Sequence, residues 1–141
     1  MSAHNVRTFA RIGRLSALVL GLGLSLAQAA KAAPADAVDR GRATYNHSCA
    51  VCHGDKGKGN GDAASALNPR PADLTMLARR AGAFPAARVE KVLKGEDLQS
   101  THTSAMLVWK ALFLAQANGD EGETNRRISD LIAFIESIQA K

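Results

Sequence analysis

Cys49-Ala50-Val51-Cys52-His53 contains both cysteines of a 141-residue chain, and the reading of these five residues decides what the rest can fold around. Four chemistries use such a stretch. A disulfide closing only two intervening residues removes little entropy from the unfolded chain and makes a poor staple. A thioredoxin-like redox pair needs a βαβ context, and no segment here alternates as a strand does. A zinc site would draw on His47, Cys49, Cys52 and His53, which crowd together without a second, distant ligand pair. The fourth chemistry uses all three residues of Cys-x-x-Cys-His together. Two thiols add to the vinyl groups of haem b, and the adjacent imidazole supplies a ligand to the iron. One helical turn presents both sulfurs to one porphyrin edge. The motif is therefore read as the attachment site of one haem c, held through Cys49 and Cys52, with His53 on the iron.

Upstream of the motif, Arg7, Arg11 and Arg14 precede the apolar run Leu15 to Ala27, and small residues follow at Ala27-Gln28-Ala29. A basic segment, a short apolar segment and a small-residue site make a secretory signal peptide over residues 1–29. The run is shorter than the roughly 20 residues a helix needs to cross a bilayer, which disfavours an uncleaved anchor. Cleavage leaves one domain, 30–141, in the periplasm, where disulfides form and haem is attached. The whole chain has a formal charge of +5 and a pI near 9.6, values that raise nucleic-acid binding. Taking the three leader arginines from 18 basic and 13 acidic side chains leaves only +2. The basicity belongs mostly to the leader, so neither a nucleic acid nor a membrane surface is demanded. No integral membrane segment is expected after cleavage, and the mature protein is expected to be a monomer.

Around the motif the chain reads as helices joined by loops. Asp36 is placed to N-cap a helix running to about Ser48, with Val38, Arg42 and Tyr45 on one side. Gly41 within it costs about 1 kcal/mol relative to Ala, which points to close packing against another backbone. Residues 54–62 hold four glycines and read as a solvated loop; without GK[ST] or a following strand they are no phosphate-binding loop. Asp73 to Arg80 reads as a short helix, and Pro85 opens another that ends at Gly95. In the last helix, about Thr124 to Ala140 with Thr124 as cap, Ile128, Leu131, Ile132, Ile135 and Ile138 form an amphipathic stripe. The fold class is all-α. One Trp, one Tyr and four Phe make a thin core, and a haem would supply much of the missing apolar volume.

The sequence resembles the class I cytochromes c, the small mono-haem electron carriers, over residues 36–140. The resemblance rests on Gly41 and Tyr45 ahead of Cys49-Ala-Val-Cys52-His53-Gly54, on Asn68-Pro-Arg-Pro-Ala-Asp-Leu-Thr75, and on Phe84 to Gly95. It continues through His102-Thr-Ser-Ala-Met106-Leu-Val-Trp109 and Arg127 to Gln139. Leu107 stands where the most similar subgroup commonly has proline, and Lys110 where it has glycine. The resemblance implies three to five helices wrapped around one covalently bound haem, and a backbone carbonyl at Pro71, in preference to Pro69, that receives the His53 ring N–H. The four-helix-bundle cytochromes c are disfavoured, because their haem motif lies near the C-terminus.

For the second axial ligand, His47 is too near His53 to reach the opposite haem face. Met76 has a helical context in which a methionine more often fills a core. Met106 follows a polar stretch without helical period, where a loop can carry a thioether to iron, and the resemblance points to the same residue. His102 is read as a loop histidine close to it. Ligation by His53 and Met106 fills the coordination sphere, raises the reduction potential and leaves outer-sphere electron transfer as the expected function, not catalysis. The alternative is a haem-based gas sensor or weak peroxidase with a labile methionine, for which the Leu107 and Lys110 departures are the support. Trp109 and Phe113 are expected in the core near the haem. Expected partners are redox proteins: a dehydrogenase, an oxidase or another cytochrome. Lys56, Lys58, Arg70, Arg79 and Arg80 suggest an acidic partner surface, against the acidic Glu96, Asp97 and Asp120 to Glu123.

Overall fold

Helix α1, Ala35–Ser48, buries Ala37, Gly41, Tyr45 and Ser48, a stripe of period close to four that needs a second helix to lie on. The computed structural model describes residues 34–97 and 109–141. The signal peptide read over 1–29, and Met106, His102 and Leu107, lie outside the described residues. The described order is α1; α2, Ala50–His53; a 3-10 turn, Ala64–Ala66; a second 3-10 turn, Leu74–Met76; α3, Leu77–Ala81; α4, Ala86–Lys94; α5, Trp109–Gln116; and α6, Glu121–Ser137. Among the described residues there is no strand, so the all-α expectation holds. Four of these helices run eight residues or more; α2 and α3 are single turns. None of the described helices is long and apolar enough to cross a membrane.

The partner of α1 is α6. Gly41 sits at their crossing: a Cβ there would collide with the carbonyl of Asp130 and come within 2.9 Å of Phe134 Cβ. The glycine therefore sets how closely the two backbones approach, as its place inside a helix implied. The Tyr45 and Phe134 rings meet beside it at 5.0 Å between centroids, tilted by 50°. The exposed Arg42 lays its guanidinium 5.0 Å from the Phe134 centroid, a cation–π contact worth about 0.5–1 kcal/mol at such a site. Arg40 clamps the crossing from the other side, with Nε 2.7 Å and a terminal nitrogen 3.0 Å from the two oxygens of Asp130. Arg126, one turn before Asp130 on α6, bonds the same carboxylate at 2.7 Å. A buried carboxylate is tolerated when charge-assisted hydrogen bonds surround it in this way.

Two helix starts differ from the sequence reading. Helix α1 is preceded by Pro34 with no side-chain cap, and Asp36 lies inside the first turn, bonded to Arg40 one turn on at 2.7 Å. Proline already fixes the φ of the entry residue, while an acid in the first turn still meets the positive end of the helix. Helix α6 starts three residues earlier than Thr124, because Asp120 accepts from the Glu123 amide at 3.0 Å and is the better cap. Thr124 is instead fully buried, its hydroxyl donating back to the Asp120 carbonyl at 2.8 Å. The stripe is where the pattern placed it: Ile128, Leu131 and Ile135 are buried, and Ile132 and Ile138 pack at its margin. Tyr45, Leu93, Phe113 and Phe134 complete that cluster. The C-terminal end is tied across the molecule: Gln139 Nε2 donates to the Leu74 carbonyl at 2.7 Å and its Oε1 accepts from the Ala78 amide at 2.9 Å. The Ala140 amide donates to Thr75 O at 2.8 Å.

Candidate functional site

Cys49 is the hinge on which the motif turns. Its amide still donates to Tyr45 O, closing α1, and its carbonyl receives the amides of Cys52 at 3.1 Å and His53 at 2.9 Å, opening α2. The motif is thus a single turn following α1, with Cys49 and Cys52 three residues apart and His53 at its end. Gly54, in a positive-φ conformation, stops that turn, and its carbonyl accepts the buried Tyr45 hydroxyl at 2.6 Å. Burial pushes the Tyr45 hydroxyl up to about 12, so it stays a donor throughout the ordinary pH range.

The glycine-rich loop does more than the solvated connection expected from its composition. Ala63 donates to Val51 O at 2.9 Å, Gly61 to Cys52 O at 3.1 Å, and Gly59 to His53 O at 2.8 Å. Three successive carbonyls at the end of the motif turn, which have no partner further along the helix, are satisfied by the loop folding back. Backbone must come very close for this: a Cβ on Gly61 would strike the Ala50 and Val51 carbonyls, and one on Gly59 would strike the Pro71 carbonyl. Leu74 N then bonds Gly57 O at 2.7 Å, which ties the following segment to the same loop.

That segment carries the contact that orients His53. The histidine is 6% exposed, and its Nδ1 lies 3.0 Å from the Ala72 carbonyl oxygen. The carbonyl expected there was that of Pro71. Pro71 does line the site, but its own oxygen is turned onto Gly59, and the next carbonyl along the chain is the one that reaches the ring.

Cys49, Cys52 and His53 share one wall of a cleft of about 480 Å³. Leu74 and Leu77 form another side, Val89, Val92 and Leu93 of α4 a third, and Trp109, Leu131 and Ile135 close it from α5 and α6. Its size and its largely aliphatic lining are those of a site for a sizeable flat organic group. Both cysteines are half-buried and not joined to each other. In the polypeptide before haem attachment, burial, with the neighbouring Cys52 adding to it, pushes the Cys49 thiol up to about 12. Among the described residues no group of three or more His, Cys, Asp or Glu is placed to hold a metal ion, which removes the zinc reading there. The cleft fits a haem: two thiols on one edge, an oriented imidazole, and apolar walls. Trp109 lines it, with its ring 5.8 Å from that of the buried Phe113, as expected of a core pair beside the cofactor. Met76 is half-buried and is not among the lining residues, and His47 is exposed at the end of α1.

Neither a search of curated proteins nor one of solved structures finds a match to this chain. The family model described as Cytochrome C oxidase, cbb3-type, subunit III matches residues 36–111, from the first turn of α1 through the motif and the cleft walls into α5. The chain belongs to that family: it is a mono-haem c-type cytochrome of the class I kind, and its cofactor is covalently bound haem c.

Proposed function

We propose that this cytochrome is an exported, periplasmic electron carrier, made with a leader over 1–29. In this reading Cys49 and Cys52 form the two thioethers, His53 and Met106 are the axial ligands, and the mature protein works as a monomer between redox partners such as a dehydrogenase, an oxidase or another cytochrome. The observation that carries it is the placing of both thiols and an anchored His53 on one wall of a single apolar cleft. When bound, the haem supplies an iron that passes one electron at a time between ferrous and ferric states without breaking a bond. The protein's part is to hold geometry. With the proton on Nδ1, His53 donates to Ala72 O, which fixes the ring plane and makes Nε2 the ligand atom. The loop bonds to Val51, Cys52 and His53 keep the motif turn from moving as charge on the iron changes. The aliphatic walls exclude water, which lowers reorganisation on electron transfer.

Met106 is assigned on the polar, aperiodic character of its segment and the class resemblance. Leu93 and Trp109, which bracket that segment in sequence, both line the cleft. The test is the optical spectrum of ferric holoprotein before and after Met106→Ala. The expected result is low-spin iron showing the charge-transfer band of sulfur ligation, converted to a high-spin, water-ligated form that binds CO readily once reduced. An unchanged spectrum would remove Met106 as ligand, and a high-spin wild type would favour gas sensing or peroxidase chemistry.

A further inference from the structure

Three arginines, Arg70, Arg80 and Arg88, line the otherwise largely apolar cleft, and no Asp or Glu lines it among the described residues. The other titratable groups facing it are Cys49, Cys52 and His53. Arg88 is already engaged, 3.5 Å from Asp97. Arg70 and Arg80 have no carboxylate partner among the described residues, whereas Arg40, Arg126 and Arg127 each have one within 3.3 Å. A haem brings two propionate carboxylates into such a cleft, and an ionised carboxylate beside apolar walls is costly unless it is paired and hydrogen-bonded. We propose that Arg70 and Arg80 bind the two haem propionates. This rests on the haem reading above and goes beyond it, to what holds the cofactor's charged edge.

Placement supports the pair. Arg70 stands between Pro69 and Pro71, in a backbone with little freedom, two residues from the carbonyl that holds His53. A guanidinium there is held in fixed relation to the ring that ligates the iron. Arg80 lies one turn from Leu77 on α3, and both line the cleft, Arg80 at its solvent-exposed margin. Arg79, its neighbour, is exposed as Arg80 is but is not a lining residue. The guanidinium fork matches a carboxylate bidentately, which a lysine does not reproduce.

The experiment uses holoprotein carrying Arg70→Gln, Arg80→Gln, both together, the Arg→Lys counterparts, and Arg79→Gln as a charge-matched control. Mass spectrometry first establishes covalent haem in each; a wild type without it overturns the haem reading, and this proposal with it. Redox titration across acidic to neutral pH then reads the propionates separately. Protonating a propionate removes negative charge beside the iron and raises the potential, giving a step with pH. A nearby guanidinium holds that step at low pH and favours the ferrous form. Removing it is expected to move the step up by about one pH unit or more and to lower the potential above the step. The double variant should show the largest change, the Lys variants a smaller one, and Arg79→Gln should leave the step at its wild-type pH. If the double variant does not mature, the single and Lys variants carry the same comparison. Variants at 70 and 80 that coincide with Arg79→Gln, with haem attached and low-spin, overturn the proposal.

Discussion

The α1–α6 crossing and the cleft both draw on α6 and are held together by opposite means. At the crossing every interaction is between protein groups: backbone against Gly41, ring on ring, and one buried carboxylate shared by two arginines. In the cleft, side chains of α4, α5 and α6 face the thiols across about 480 Å³ enclosed by the described residues. The crossing is a scaffold complete in itself, while the cleft is a half-core whose other half is the cofactor. Damage to the first should appear as lost stability with a normal spectrum, and damage to the second as lost cofactor.

The largest effect is expected at the motif. Replacing both Cys49 and Cys52 by Ser should abolish covalent haem, leaving a mass without the cofactor and pigment that acid–organic solvent extracts. Retention of covalent haem by that double variant would break the comparison at its root. Next is Gly41→Ala. Its new methyl meets the Asp130 backbone, which cannot yield without moving α6, so holoprotein should lose about 1–3 kcal/mol in denaturant unfolding, with the haem spectrum retained.

Tyr45→Phe tests the joint between the two regions, since its ring belongs to the crossing and its hydroxyl to the end of the motif. Gly54 O keeps the Gly57 amide at 2.9 Å, so losing the Tyr45 bond should cost only the net worth of one buried hydrogen bond, about 0.5–1.5 kcal/mol. Because Tyr45 titrates near 12 in the folded protein, above its usual 10, its contribution is fully present below pH 10 and is lost as pH rises toward 12. The difference between wild-type and Tyr45→Phe stability, measured against pH, should change across that window and be flat below it. Smallest is Met76→Leu, a nearly volume-conserving change away from the cleft, expected to cost less than about 1.5 kcal/mol and to leave the ferric spectrum as it was.

The sequence spoke clearly wherever one residue type has one physical use. Gly41 inside a helix, Pro85 before α4 and Gly95 after it, and the Ile128 to Ile138 stripe each have a local cause, and each is where it was expected. The fused Cys-x-x-Cys-His is legible for the same reason. What the sequence hid depends on backbone meeting backbone. The return bonds of Gly59, Gly61 and Ala63 involve no side chain, so composition could only describe a loop. The choice of Ala72 over Pro71 turns on which way a carbonyl points, which residue identity does not record. Asp130 looks like any polar position beside an apolar stripe, and only the approach of Arg40 from 90 residues away makes it a buried anchor. Helix α5 is apolar on most of its faces, so periodicity offered no boundary.

The bonds from Gln139 and Ala140 to the Leu74 to Ala78 stretch have a consequence in time rather than space. A chain made from its N-terminus presents Cys49, Cys52 and His53 long before α6 exists. The α6 wall of the cleft and the tie at Gln139 and Ala140 that fastens it are made after the other described walls. Until then the thiols stand on an open strand of peptide, reachable from every side. Bond formation at the sulfurs can therefore precede enclosure, with α6 closing over a cofactor already in place.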